Sequence, residues 1–311
     1  MLKALSSKLP TNLSLEGLIH LLVVYVAWGS TFLAIRVAVG PGGGFPPFTM
    51  GAIRTLLAGM VLLGWAFLSG KRVLPERKDL PVLIGSGVLL WSLGNGMVVF
   101  AEKYVDSGIA ALMVNLTPIW IILLNALINH ELPHWLLWCA IAAGSVGLGF
   151  IVGSNFDLLE LKTGNTALIA LLWASFSFAL GMLLQNKFKP SLDTIISSAY
   201  QNLFGGLGFV LLAIFNHEAP PNPSIQGLLA VGYLTLIGSV ISFTSFTRAL
   251  SLLPISVTMT YSYVNPVVAL LIGSLFLHEE IGWVTVVGAI LMLVAVFGAF
   301  KATEKSKDRS T

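Results

Sequence analysis

Ten stretches of roughly twenty apolar residues, each long enough to cross a bilayer as a helix, are set apart by short polar or glycine- and proline-rich breaks. They run over Gly17–Val39, Phe48–Leu68, Leu80–Phe100, Val105–Asn129, Trp135–Val152, Asn165–Leu184, Thr194–Phe215, Ile225–Leu250, Ile255–Leu277 and Ile281–Phe300. A chain with that pattern has few folds open to it in water. In lipid each backbone polar group must be satisfied within its own element, which leaves helices or closed barrels, and the run length selects helices. Charged residues make up only 10% of the sequence, against roughly 25% in a soluble domain. The expected fold is an all-α integral membrane protein with ten transmembrane helices.

An even number of crossings puts both termini on one side. Thirteen of the 17 Lys and Arg residues fall on that side, Lys103 and Lys162 fall on the other, and Arg36 and Arg54 lie within spans. Cytoplasmic segments carry such an excess of basic residues, so the reading is a multi-pass protein of a bacterial inner membrane with cytoplasmic termini. The same clustering accounts for a net charge of +3 without nucleic acid as a partner. The first stretch follows Lys3 and Lys8 as a signal peptide would, but it is too long and lacks a small-residue cleavage site, so it reads as a retained helix. The lone Cys139 allows no internal disulfide.

The sequence also repeats itself. At a shift of 148 residues, Pro118 meets Pro266, His130-Glu131 meets His278-Glu279 and Trp135 meets Trp283; at 145, Trp28 and Ser30 meet Trp173 and Ser175. Five helices per unit is an odd number, so the second copy crosses the membrane upside down. The expected organisation is a cytoplasmic segment (1–16), a first five-helix repeat (17–153), a linker (154–164), an inverted second repeat (165–300) and a basic tail (301–311). Inverted halves can exchange conformations and expose a central site to each side in turn.

Polar and aromatic residues deep in the spans are the candidate substrate-binding set: Trp28, Thr31, Arg54, Trp91, Asn95, Asn115, Trp173, Tyr261, Tyr263 and Asn265. Trp91 with Asn95 and Tyr261 with Asn265 are four residues apart and share a helix face. Pro118 and Pro266 each remove a backbone donor within a span, so both are candidate hinges. Arg36 and Arg54 stand out most, because a central arginine costs on the order of 2.5–3.5 kcal/mol by insertion scales. Glu102 is the expected ion-pair partner of one or both. Either a substrate carboxylate or that structural pair would account for Arg54.

Two motifs carry less than their form implies. His130-Glu131-Leu132-Pro133-His134 matches the zinc-protease pattern, but Pro133 breaks the helix on which both histidines would have to sit, so no metal site is assigned. Pro41-Gly42-Gly43-Gly44 lacks the Gly-Lys-Ser/Thr of a phosphate loop. No cofactor is expected.

Several runs resemble the EamA-type exporters of the drug/metabolite transporter superfamily. Trp28-Gly29-Ser30-Thr31-Phe32 with Ala34-Ile35-Arg36 is similar to that family's first helix, and Arg54 sits where its second helix carries an arginine. Gly94-Asn95-Gly96-Met97 with Ala101-Glu102, then Ser107-Gly108-Ile109-Ala110-Ala111, resembles the third and fourth helices. Tyr261-Ser262-Tyr263-Val264-Asn265-Pro266 resembles the ninth. His130 and His278 stand where the family usually has a glycine before its glutamate. The resemblance implies ten helices, a central cavity, and efflux of amino acids or related metabolites.

The expected function is therefore a secondary transporter, not an enzyme, exporting amino acids or similar small solutes by alternating access, as a monomer or homodimer. Protons are a candidate coupling ion, although no span has a carboxylate at its centre. The competing readings are an importer or antiporter of another solute such as a nucleotide sugar, which would want more internal basic residues, and a membrane-embedded lipid enzyme.

Overall fold

A computed structural model describes residues 14–297 except 115, 131–134, 137, 140–141, 145, 148–160, 254, 259, 279–280, 292 and 296. Its described residues form helices and no strand: α1 (Leu15–Val39), α2 (Pro47–Leu68), α3 (Leu80–Ala101), α4 (Ser107–Ile128), α5 (Leu161–Lys187), α6 (Thr194–Phe215), α7 (Ile225–Leu252), α8 (Tyr261–Leu277) and α9 (Trp283–Ala295). The first seven are long and apolar enough to cross a membrane, and the last two are shorter apolar helices. Half of the expected span Trp135–Val152, most of the linker and all of the basic tail lie outside the described residues.

The breaks read from sequence work because they contain caps. Ser14 accepts a bond from Gly17 N, Asp193 from Ile195 N, and Ser224 from Gly227 N, each satisfying a donor that a helix start leaves orphaned. Large apolar side chains such as Leu57, Met60, Val61 and Trp65 of α2 and Leu207, Leu211 and Ile214 of α6 stand exposed. Lipid, not water, suits such a surface.

Three local features depart from uniform helices. First, α4 breaks at a turn around Leu116, and Pro118 lies in the first turn of the restarted helix, where its missing N–H costs little. The segment before α8 breaks likewise, between Ile255–Thr258 and Tyr261, while Pro266 lies inside α8. Second, α3 and α7 each contain a π-helical stretch, Val88–Asn95 and Leu234–Ile241, whose first residues are 146 positions apart. Third, His130 and His278 end their helices in the left-handed conformation, with φ of 54° and 56°. That is the conformation a glycine adopts without strain.

Helix α1 packs against α7 and α8, α5 packs against α3 and α4, and α2 and α6 pack on each other. Glycines make the last contact close: the Phe209 ring fills the space above Gly51, and Gly59 lies on Ala199 and Leu203. Small residues at such a crossing bring backbones together.

Loops tie the helices at both ends. At one end Lys71 pairs with Asp193 at 2.7 Å, Ser191 donates to Asp79 through its N–H and hydroxyl, and Arg248 pairs with Glu16 at 2.8 Å. The Ser191 bonds are the main cause holding the Asp79 carboxyl below the usual carboxylate range. Burial alone would raise Asp193, but its bonds from Lys71 and Ile195 N outweigh that and leave it lowered. At the other end Asn222 and Ser224 donate backbone N–H groups to the carbonyls of Gly44 and Gly43, and Glu218 accepts from Phe48 N, Thr49 N and the Thr49 hydroxyl. Gly44 has φ of 81°, and a Cβ there would lie 2.0 Å from the Asn222 carbonyl oxygen.

Candidate functional site

A cavity of about 670 Å³, its mouth included, lies between α1, α2, α3, α4, α5, α7 and α8. Seven of the ten residues expected to bind substrate line it: Trp28, Thr31, Arg54, Trp91, Asn95, Tyr261 and Asn265. Asn115 and the side chain of Tyr263 lie outside the described residues. Trp173 is elsewhere. It is 48% exposed and packs on Phe176 at 5.6 Å, because α5 turns Ser177 and Gly181 toward Leu89 and Leu90 of α3. Phe178, which the repeat did not single out, faces the cavity instead.

The walls are aromatic. Trp28 stacks at a tilt on Phe246 (4.8 Å) and edge-on to Tyr261 (5.4 Å), and Trp91 lies 4.9 Å from Phe243. The π-helical stretches place the polar groups. That of α3 brings Leu90, Trp91 and Asn95 to the cavity, and that of α7 offers the Gly238 carbonyl to Trp28 Nε1 at 3.3 Å and the Ser239 hydroxyl to Arg54. A π turn shifts the register of a helix locally, which is why such turns are common at functional sites.

Arg54 is the centre of the site, at 2% exposure. Its Nε donates to Ser239 Oγ at 2.7 Å, its Nη1 reaches Asn95 Oδ1 at 3.4 Å, and its guanidinium lies 5.0 Å from the centre of the Trp91 ring. Among the described residues it forms no direct ion pair; Glu102 acts on it only through space. Arg36 is placed differently. It donates to the Glu102 backbone carbonyl at 2.6 Å and pairs with Asp106 at 3.7 Å, so the carboxylate of this ion pair is Asp106, and Glu102, the partner expected from the sequence, offers it a backbone carbonyl. Two buried polar atoms of the cavity lining, Trp91 Nε1 and Asn265 Oδ1, have no hydrogen-bond partner among the described residues. Of the two hinge candidates, Pro266 lies in the same helix as Tyr261 and Asn265, and Pro118 lies at the break of α4. The zinc-protease-like run, beyond His130, lies outside the described residues.

A family model described as the EamA-like transporter family matches residues 15–153 and again residues 165–301. The chain belongs to this family. YedA of Escherichia coli (strain K12), named as an uncharacterized inner membrane transporter, is 33% identical over 257 residues, covering 82% of this chain and 80% of YedA. YdfC of Bacillus subtilis (strain 168), named as an uncharacterized transporter, is 25% identical over 293 residues, with 90% of each chain covered. A solved crystal structure with 19% identity matches at a TM-score of 0.66 over 91% of this chain and 96% of its own, a likeness of fold. This EamA-family chain is thus a multi-pass membrane protein whose relatives are named as transporters and not as enzymes.

Proposed function

We propose that the chain is a secondary transporter that exports amino acids or related small metabolites by alternating access. In this reading it has ten transmembrane helices in two inverted five-helix repeats, with both termini in the cytoplasm. Several observations support the repeat. Under the sequence shift, α1 with its neighbours α7 and α8 corresponds to α5 with its neighbours α3 and α4, and the two π-helical stretches correspond as well.

The observation that carries the functional reading is Arg54: a buried guanidinium at an aromatic cavity, with no direct ion pair among the described residues. Burying a charge without a direct counter-ion costs several kcal/mol, and a ligand anion is the partner that relieves it. Its planar fork fits a carboxylate. The free Trp91 N–H adds a donor, while the free Asn265 oxygen and the faces of Trp28 and Tyr261 suit an ammonium group. A solute with one carboxylate and one ammonium, plus an apolar side chain for the Phe178, Phe243 and Phe246 wall, uses all of these. A sugar linked to a nucleoside diphosphate brings two phosphate charges against one cavity arginine.

The test is counterflow of a radiolabelled amino-acid panel in proteoliposomes, with and without a pH gradient, and a nucleotide sugar as the contrasting solute. Flux of one or more amino acids is expected, with the pH-gradient arm reporting proton coupling. Nucleotide-sugar flux with no amino-acid flux overturns the reading.

A further inference from the structure

A second, polar pocket of about 510 Å³, mouth included, lies between α5, α6, α7 and the 188–193 loop. Its lining includes Gln185, Lys189, Thr194, Ser197, Thr247 and Ser251. Gln185 is 7% exposed, lines the pocket, and its Oε1 has no hydrogen-bond partner among the described residues. A buried acceptor without a donor is costly unless something occupies the space before it. Lys189, on the exposed rim, forms no ion pair among the described residues.

The position of this pocket relative to the central cavity gives it meaning. Met182 and Phe243 line the cavity, Gln185 and Thr247 line the pocket, and each pair is three or four residues apart on one helix. Phe246 and Leu250 repeat the relation. Residues so spaced share a helix face and differ in depth by about one turn, roughly 5 Å. The two spaces therefore sit in line along the same faces of α5 and α7. Between them lies a buried apolar layer of Met182, Phe246 and Leu250.

From this alignment we infer that the polar pocket is a waiting site for the transported solute, and that the Met182–Phe246–Leu250 layer is the gate between it and the central cavity. The inference rests on the amino-acid reading above. The pocket takes a small zwitterion: Lys189 with the Thr194 and Ser197 hydroxyls holds the carboxylate, and Gln185 Oε1 accepts from the ammonium. Amide and hydroxyl groups bind such a solute loosely and let it move on. The Lys71–Asp193 and Glu16–Arg248 pairs lie at the same end of the molecule, which the distribution of basic residues assigns to the cytoplasm.

Equilibrium binding to purified, lipid-reconstituted protein tests this, using a radiolabelled amino acid that gives counterflow. The wild type is expected to bind two molecules per chain, Arg54→Gln one, Gln185→Leu one, and the double variant none. Lys189→Gln, a surface change that leaves the fold intact, should weaken only the looser site, by about threefold as expected for an exposed charge. One molecule per chain in the wild type, two retained in Gln185→Leu, or both affinities untouched by Lys189→Gln overturns the waiting site while leaving the transporter reading in place. Loss of the looser site whenever phosphatidylglycerol is in the bilayer assigns the pocket to a lipid headgroup and also overturns it. Failure of the wild type to bind or exchange any amino acid is instead the failure of the transporter reading itself.

Discussion

Replacing Arg54 by Gln separates the two roles open to a buried arginine, because they predict opposite effects on stability. If Arg54 completes a structural ion pair, removing it leaves a buried carboxylate uncompensated, which costs about 3–5 kcal/mol. Its direct partners among the described residues are neutral: Ser239 Oγ at 2.7 Å, a long bond to Asn95 and the Trp91 face, while Glu102 acts on it only through space. A glutamine amide keeps part of the side-chain bulk and can still bond Ser239. Losing two or three interactions worth about 1 kcal/mol each is offset by no longer desolvating a charge, itself several kcal/mol. The net change in stability should lie within about 1 kcal/mol of zero or be favourable. Substrate binding should suffer far more. Two charge-assisted bonds to a carboxylate at about 1.5–3 kcal/mol each correspond to a loss of affinity of about 10² to 10⁴. The assay pairs thermal unfolding of the purified variant with counterflow of the best wild-type substrate. Lost counterflow with an unchanged or raised melting temperature supports the binding role. A melting temperature lower by ten degrees or more, or counterflow that survives, refutes the reasoning.

Trp91→Phe keeps the ring contact with Phe243 and removes only the unpartnered N–H, so substrate affinity in an equilibrium-binding assay should fall three- to tenfold, about one hydrogen bond, with unchanged melting. Gly205→Ala puts a Cβ 2.3 Å from Trp91 Cβ and 2.9 Å from the Gly87 carbonyl oxygen; overpacking of about 1–3 kcal/mol should lower the melting temperature and weaken binding together. His278→Gly relieves a left-handed residue at the end of α8, and the gain of about 1–2 kcal/mol less the added unfolded-state freedom should raise the melting temperature. Asp79 and Asp193 both have lowered folded-state values, so their contribution is complete above the unfolded value of about 3.9 and is lost as pH falls through the folded ones. Melting curves from pH 7 to pH 3 should therefore be flat to about pH 4 and then drop, and Asp79→Asn should blunt that drop.

Helix positions were legible because each break carries its own chemistry: Asp193 and Ser224 announce α6 and α7 as caps, and the residue limits of α6 agree at both ends. The site was legible wherever a polar residue stood alone in an apolar run, as with Arg54, Asn95 and Asn265. Two things were not. The π-helical stretches have no sequence signature, so Ser239 could not be assigned to Arg54. The rotation of α5 was hidden as well, since an all-apolar helix gives no periodicity to mark its inner face, and the repeat misdirected attention to Trp173 when Phe178 lines the cavity. The second pocket escaped because Gln185, Ser197 and Thr247 are ordinary residues near helix ends, and only tertiary packing brings them level.

The two ends of the helix set are laced with different materials. One is held by exposed pairs of opposite charge, Lys71 with Asp193 and Arg248 with Glu16; the other chiefly by backbone carbonyls of the glycine loop and by Glu218 seated on the start of α2, with the longer Arg36–Asp106 contact at 3.7 Å beside them. Dissolved electrolyte weakens exposed pairs over a Debye length of about 10 Å at 0.1 M and leaves bonds between backbone groups almost untouched. Ionic strength thus acts as an uneven lever, loosening the end held by two short charge pairs more than the end held mainly by backbone groups.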